Sequence, residues 1–148
     1  LKRPEGLPDE LTRVKAGCFV TLHKAGALRG CIGTIHPMEP CLADEIIQNA
    51  VSAAARDPRF DPIRAEELLE LDCSVDVLGT PETIETIDQL DPKVFGVIVS
   101  RGVRRGLLLP DLEGVDTAQQ QVAIARRKAG ILPRESVRLE RFRVTRHT

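Results

Sequence analysis

The residues best able to do chemistry lie in the stretch Leu28-Arg29-Gly30-Cys31-Ile32-Gly33. A thiol stands between two glycines on a segment that reads as a strand. Glycine inside a strand gives up packing, and it marks a bulge or a surface that another backbone or a ligand approaches closely. Side chains alternate along a strand, so Arg29 shares a face with Cys31. A neighbouring cation lowers a thiol's pKa, and the thiolate is the nucleophile. On that reading Cys31 attacks, Arg29 binds a carboxylate or phosphate, and His23 or His36 accepts a proton. Gly30 and Gly33 keep the surface open, while Asp57 and Arg59 face it as substrate-binding groups. The same residues support a plainer reading. A buried cysteine on a strand is a small apolar side chain, and Asp57 with Arg59 then bond each other and a helix end.

The remaining composition narrows the chemistry. Cys18, Cys31, Cys41 and Cys73 are irregularly spaced with no C-x-x-C pair, which argues against a zinc site or a redox dithiol. They read as reduced thiols of a cytoplasmic protein. There is no phosphate-binding glycine loop followed by Lys, no dinucleotide fingerprint and no cluster-ligating spacing, so no cofactor and no metal is expected. No apolar run approaches the roughly 20 residues needed to cross a bilayer, so no membrane partner is expected either. The net charge of -1 hides an asymmetry: residues 101–148 carry 11 Lys or Arg against 5 Asp or Glu, and the first 100 carry 10 against 17. The arginines of this basic third could meet the phosphates of a nucleic acid. They could equally pair locally and solvate an edge strand, the reading favoured because Phe142 is the one aromatic platform in its C-terminal segment.

Several elements must position these groups. Cys18–Leu22 and Leu28–Ile35 read as a hairpin turning at residues 24–27. Pro40 is placed to begin a helix that runs to Arg56, whose small face (Ala50 to Ala55) fits a strand bearing Gly30 and Gly33. Asp57-Pro58-Arg59-Phe60-Asp61-Pro62 must leave the helix as an extended loop. A short helix over residues 64–69 precedes a strand at residues 71–77 that puts Cys73 in the core. Residues 81–92 form a linker, Phe95–Ser100 and Gly106–Leu109 a second hairpin, and Asp116 or Thr117 caps a last helix that Gly130 ends. Val137–Thr145 is a final strand with a bulge near Glu140 and Arg141. The order points to an α+β fold, a mostly antiparallel sheet flanked by helices.

Together, Gly17–Leu22, Leu28–Gly33, Asp57-Pro58-Arg59-Phe60, Gly106–Pro110 and Lys128-Ala129-Gly130 resemble the AMMECR domain family, whose bacterial and archaeal members include system protein A of the AmmeMemoRadiSam set. The resemblance runs from about Gly17 to the C-terminus and implies a single domain over residues 1–148, with residues 1–16 as an irregular lead-in. It implies two unequal lobes, a cleft near Leu28–Gly33, and Memo-like and radical-SAM proteins as partners. The N-terminal helix that members usually carry ahead of the segment matching Leu7 to Lys15 is largely missing. Three functions follow: a thiol-dependent enzyme at Arg29 and Cys31, a non-catalytic ligand- or partner-binding adaptor, and a nucleic-acid binder using the basic third.

Overall fold

The structure, a computed structural model, describes residues 2–148. The chain divides into two compact units, the first ending at Leu78 and taking back Thr145–Thr148, the second spanning Gly79–Val144. Both are antiparallel sheets with helices, so the expected α+β class holds.

In the first unit, a short helix α1 (Asp9–Thr12) precedes the hairpin β1 (Cys18–Lys24) and β2 (Ala27–Gly33). Ala25 and Gly26 turn it with φ of 50° and 79°, the left-handed pair that matches strand twist in two-residue turns. Thr21 lies opposite Cys31, and a register shift after Leu22 leaves Arg29 as a bulged residue between Gly30 and Leu28. Helix α2 (Leu42–Ala55) follows, then a 3-10 turn over Ala65–Glu70 and strand β3 (Leu71–Leu78). With β8 (Val144–His147) the sheet order is β2-β1-β3-β8. Val20, Leu22 and Ala53 form a buried cluster, so α2 covers the face that carries Val20. Thr21, and with it Cys31, must then lie on the other face.

The glycines of β2 divide between these faces. A Cβ on Gly30 would overlap the carbonyl oxygen of Ala53, so α2 rests directly on the strand there. A Cβ on Gly33 would instead strike the Phe19 ring. The match between small-residue helix and double-glycine strand therefore holds at Gly30 alone.

Other elements differ from expectation. Helix α2 starts at Leu42 with Cys41 as its N-cap, two residues past Pro40, and the Arg56 N–H closes it on the Ser52 carbonyl at 2.8 Å. The helix expected at residues 64–69 is the 3-10 turn. Cys73 is exposed rather than core; alternation identifies a strand's face but not how far along the strand that face is covered.

The second unit holds β4 (Glu82–Ile84), a 3-10 turn at Ile87–Gln89, the hairpin β5 (Gly96–Arg101) and β6 (Arg104–Leu108), helix α3 (Ala118–Ala129) and β7 (Arg138–Phe142), in sheet order β4-β7-β5-β6. The expected linker thus contains a strand, because β4 pairs with β7 from Glu82 opposite Arg141 to Ile84 opposite Leu139, partners too distant in sequence for local pattern to reveal. Thr117 Oγ1 accepts from Gln120 N at 3.1 Å and Gln120 Oε1 accepts from Thr117 N at 3.1 Å, a capping box that starts α3. Gly130, at φ 69°, ends it. Val97, Val99, Leu108, Val122, Ala125 and Ile131 build the core. The expected bulged final strand is two strands, β7 and β8, parted at Arg143 and belonging to different sheets.

Candidate functional site

Cys31 is partly buried, and its Sγ lies 3.2 Å from Thr21 Oγ1 across the hairpin. Its backbone is held from outside the sheet. The Cys31 N–H donates to Asp57 Oδ2 at 3.0 Å, and Arg59 Nη2 donates to the Cys31 carbonyl at 3.3 Å. Strand β2 is the sheet's edge. A carboxylate and a guanidinium from the loop therefore take the place of a neighbouring strand, which satisfies polar groups that an edge leaves open. The loop can do this because Pro58 disfavours helical backbone at Asp57, and the chain leaves α2 at the Arg56 C-cap.

Asp57 is 4% exposed. It also accepts from Arg59 N at 3.1 Å, Arg59 Nε at 3.0 Å and Arg59 Nη2 at 2.8 Å. The Arg59 guanidinium holds its carboxyl well below the usual carboxylate range, burial opposes this, and the Cys31 and Arg59 backbone N–H groups reinforce it. Asp57 and Arg59 thus come together with Cys31, and they also bond each other.

Arg29 is committed elsewhere. Its Nε and Nη2 donate to Glu67 Oε1 and Oε2 at 3.1 and 3.2 Å, and Nη1 and Nη2 reach the carbonyls of Asp61 and Pro62 at 2.8 and 3.4 Å. Glu67 also accepts from Lys24 Nζ at 3.1 Å and from Arg64 N at 2.8 Å. Its pKa is brought down to about 2, chiefly by Arg29. The cation bonded to Cys31 is Arg59, not Arg29, because the bulge takes Arg29 out of the regular alternation. Arg29 helps to line a concavity of about 400 Å³ with Lys24, Arg64, Glu66, Glu67 and Glu70, a surface that leaves Cys31 out.

His23 stands on β1 two residues from Thr21, and His36 lies exposed in the turn after β2. Among the described residues neither forms a hydrogen bond to Cys31, and no group of three or more His, Cys, Asp or Glu is placed to hold a metal. Gly30 and Gly33 meet protein atoms, as described above.

The sequence reading missed Thr21, Glu67 and two buried polar residues of α2. Glu45, 1% exposed, accepts from Thr34 Oγ1 at 2.7 Å and from Met38 N and Glu39 N at 2.8 Å, which fixes the turn around Met38 and Glu39. Asn49 Nδ2 donates to the Cys18 carbonyl at 3.0 Å and to Thr34 Oγ1 at 3.2 Å. Glu45, Asn49 and Ala53 recur at intervals of four on one helix face, so an acid and an amide on a buried stripe were the available signal. Burial pushes the Cys18 thiol up to about 11, which leaves it a poor nucleophile.

Most C-terminal cations are engaged by other groups of the protein, several of them far along the chain. Arg104 meets Glu135 at 2.7 Å, Arg126 donates to the carbonyls of Leu132 and Glu135, Arg141 meets Glu82 at 2.9 Å, and Arg143 stacks 4.7 Å from the Phe95 ring centroid.

The AMMECR1 family model matches residues 2–147. The chain belongs to the AMMECR1 family. Among its relatives, a Thermotoga maritima protein is 53% identical over 146 residues, which is 97% of this chain and 83% of that protein. A Clostridium acetobutylicum protein is 50% identical over 144 residues, 97% of this chain but 31% of its own length. The crystal structure of the uncharacterised protein PH0010 from Pyrococcus horikoshii superposes with a TM-score of 0.89 at 34% identity, covering 99% of this chain and 79% of that one. That likeness bears out the α+β fold. Among the described residues, no helix is long and apolar enough to cross a membrane.

Proposed function

We propose that this AMMECR1 chain is a non-catalytic binding module that works with Memo-like and radical-SAM proteins. The observation that carries this reading is the use already made of the motif's polar groups. Arg29 is spent on Glu67 and two carbonyls, and Asp57 is spent on Arg59 and the Cys31 N–H. A nucleophilic thiol is activated by a base within hydrogen-bond reach or by a cation that lowers its pKa; neither candidate histidine bonds to Cys31, and Arg59 donates to its carbonyl rather than to its sulfur. What the bonds hold in place is the edge of β2, a job of scaffolding.

The thiol-dependent enzyme is the second reading. It is favoured by the partial exposure of Cys31 and by the Arg59 guanidinium at its carbonyl.

Co-purification of the chain with Memo-like and radical-SAM proteins from one genome tests the first reading, with Cys31→Ser as the discriminating variant. The binding module predicts capture by one or both partners, unchanged in Cys31→Ser. Absence of capture defeats the module reading. Loss of a product made by the reconstituted set in Cys31→Ser, with capture intact, favours the thiol enzyme.

A further inference from the structure

Across the sheet of the second unit, three residues form one row: Arg105 on β6 stands opposite Ser100 on β5, and Ser100 stands opposite Arg138 on β7. Directly paired residues project from the same face of a sheet. The next row, Val99 with Gly106 and Leu139, belongs to the face beneath α3, since a Cβ on Gly106 would overlap the Ala125 carbonyl. The Arg105–Ser100–Arg138 row therefore lies on the opposite face.

Two arginines flanking a small hydroxyl residue are an unfavourable choice for an unoccupied sheet, because like charges on neighbouring strands repel. Local acids do not neutralise them. Glu135 is held by Arg104 at 2.7 Å and approached by Arg101 at 3.7 Å, and Glu140 approaches Arg138 only at 4.0 Å. Arg101, Arg104, Arg105 and Arg138 thus face two carboxylates, which leaves an excess of positive charge. Arg105 is exposed and has no hydrogen-bond or ion-pair partner among the described residues.

The groups converge on a concavity. Ser100, Arg101, Arg105, Ser136 and Arg138 line a space of about 400 Å³. Arg101 Nη1 is fixed there by the Ser136 carbonyl at 2.8 Å and by Ser136 Oγ at 2.7 Å. Because Ser136 Oγ accepts from Arg101, its own hydrogen is free to donate outward. Arg138 is steadied by donating Nη2 to Thr83 Oγ1 at 3.0 Å. The lining is thus two guanidinium forks on flanking strands, a third held at the hairpin end, and two hydroxyls. Guanidinium forks match the paired oxygens of a phosphate, and hydroxyl donors suit its remaining oxygen. The volume falls within the range of small-ligand sites, roughly 300–1,000 Å³, so it accommodates more than a bare anion.

We infer that this concavity is a binding site for a small phosphate monoester, with Arg105 and Arg138 clasping the phosphate from either side of Ser100 and Ser136. The site is independent of Cys31 and of the binding reading above.

The test is calorimetric titration of the intact chain at low ionic strength with ribose 5-phosphate, inorganic phosphate and a single-stranded oligonucleotide. It is repeated in Arg105→Ala, Arg138→Ala and, as a charge control on α3, Arg127→Ala, each first confirmed folded by its circular dichroism. The expected result is saturable one-to-one binding of ribose 5-phosphate, at least as tight as inorganic phosphate. Binding should weaken tenfold or more in both Arg105→Ala and Arg138→Ala and less than twofold in Arg127→Ala. Non-saturable binding of the ester, equal weakening by all three variants, or inorganic phosphate binding more tightly than the ester would each overturn the proposal. So would an oligonucleotide that binds more tightly than the ester and is weakened alike by all three variants, the behaviour of a diffuse backbone-binding surface.

Discussion

The two units are built to one plan. Each runs hairpin, helix, strand, and each places the first hairpin strand between the second and the strand after the helix: β2-β1-β3 in one, β6-β5-β7 in the other. Each has a glycine on the second hairpin strand whose missing Cβ makes room for a helix carbonyl, Gly30 against Ala53 and Gly106 against Ala125. Each also has an arginine on that strand clasping a glutamate in the segment after the helix. Arg29 meets Glu67, whose carboxylate also accepts from Arg64 N at 2.8 Å, and Arg104 meets Glu135, whose carboxylate accepts from Leu132 N at 2.7 Å. In both cases the acid accepts from the backbone three residues earlier. An Arg and a Gly that stand out as site features in the first unit therefore recur in the second as parts that seat a helix and tie down its exit. What the first unit has to itself is the Asp57–Arg59 clamp on Cys31. The second unit's own feature is the Arg105–Ser100–Arg138 row.

The comparison is broken most directly at the two glycines. Gly30→Ala and Gly106→Ala should each destabilise the chain by about 3 kcal/mol, near the upper end for overpacking because the obstacle is a main-chain oxygen. Chemical denaturation of the two variants checks this, and a tolerated Gly30→Ala beside a damaging Gly106→Ala would separate the units. Asp57→Ala comes next. It leaves the Cys31 N–H without its partner and frees Arg59, and losing hydrogen bonds to a charged group costs about 2 kcal/mol. Arg59, more than half exposed, should cost less when changed to Ala, about 1 kcal/mol or below. Reversal of that order would mean that the guanidinium, not the carboxylate, carries the clamp.

Acid should sharpen the likeness of the two clasps. Glu67 and Glu135 are both brought down to about 2, in each case chiefly by the arginine that clasps them. The unfolded chain takes up their protons near the ordinary value of about 4.3. Their contribution is therefore fully present above about pH 5 and is lost as pH falls from there toward 2, since the unfolded state binds more protons across that window. Glu67→Gln and Glu135→Gln should each flatten the fall in unfolding midpoint between pH 4.5 and 2, by similar amounts, and leave the shape above pH 5 unchanged. The smallest effect concerns reactivity. All four cysteines lie in the first unit, and alkylation near neutral pH followed by mass spectrometry should mark exposed Cys73, although burial of its sulfur pushes that thiol up, and partly buried Cys31 well before Cys18.

The hairpins, the two longer helices and the family are legible in the order of residues alone. Strand alternation gave both hairpins, the N-cap threonine and the terminal glycine bounded α3, and Pro58 forced Asp57 and Arg59 into the loop that meets Cys31. These outcomes depend on neighbours within a few residues, where propensity and steric exclusion act. Tertiary structure alone decided which partner each charged group takes. Arg29 and Glu67 are 38 residues apart, and a bulge between Leu22 and His23 turns the arginine from companion of Cys31 into a clasp on the chain after α2. The strand at Glu82–Ile84 and the division of the last stretch between two sheets likewise depend on hydrogen-bond partners far along the chain. Alternation shows which residues share a face, but what covers that face, and which charges meet there, emerges only when distant segments pack.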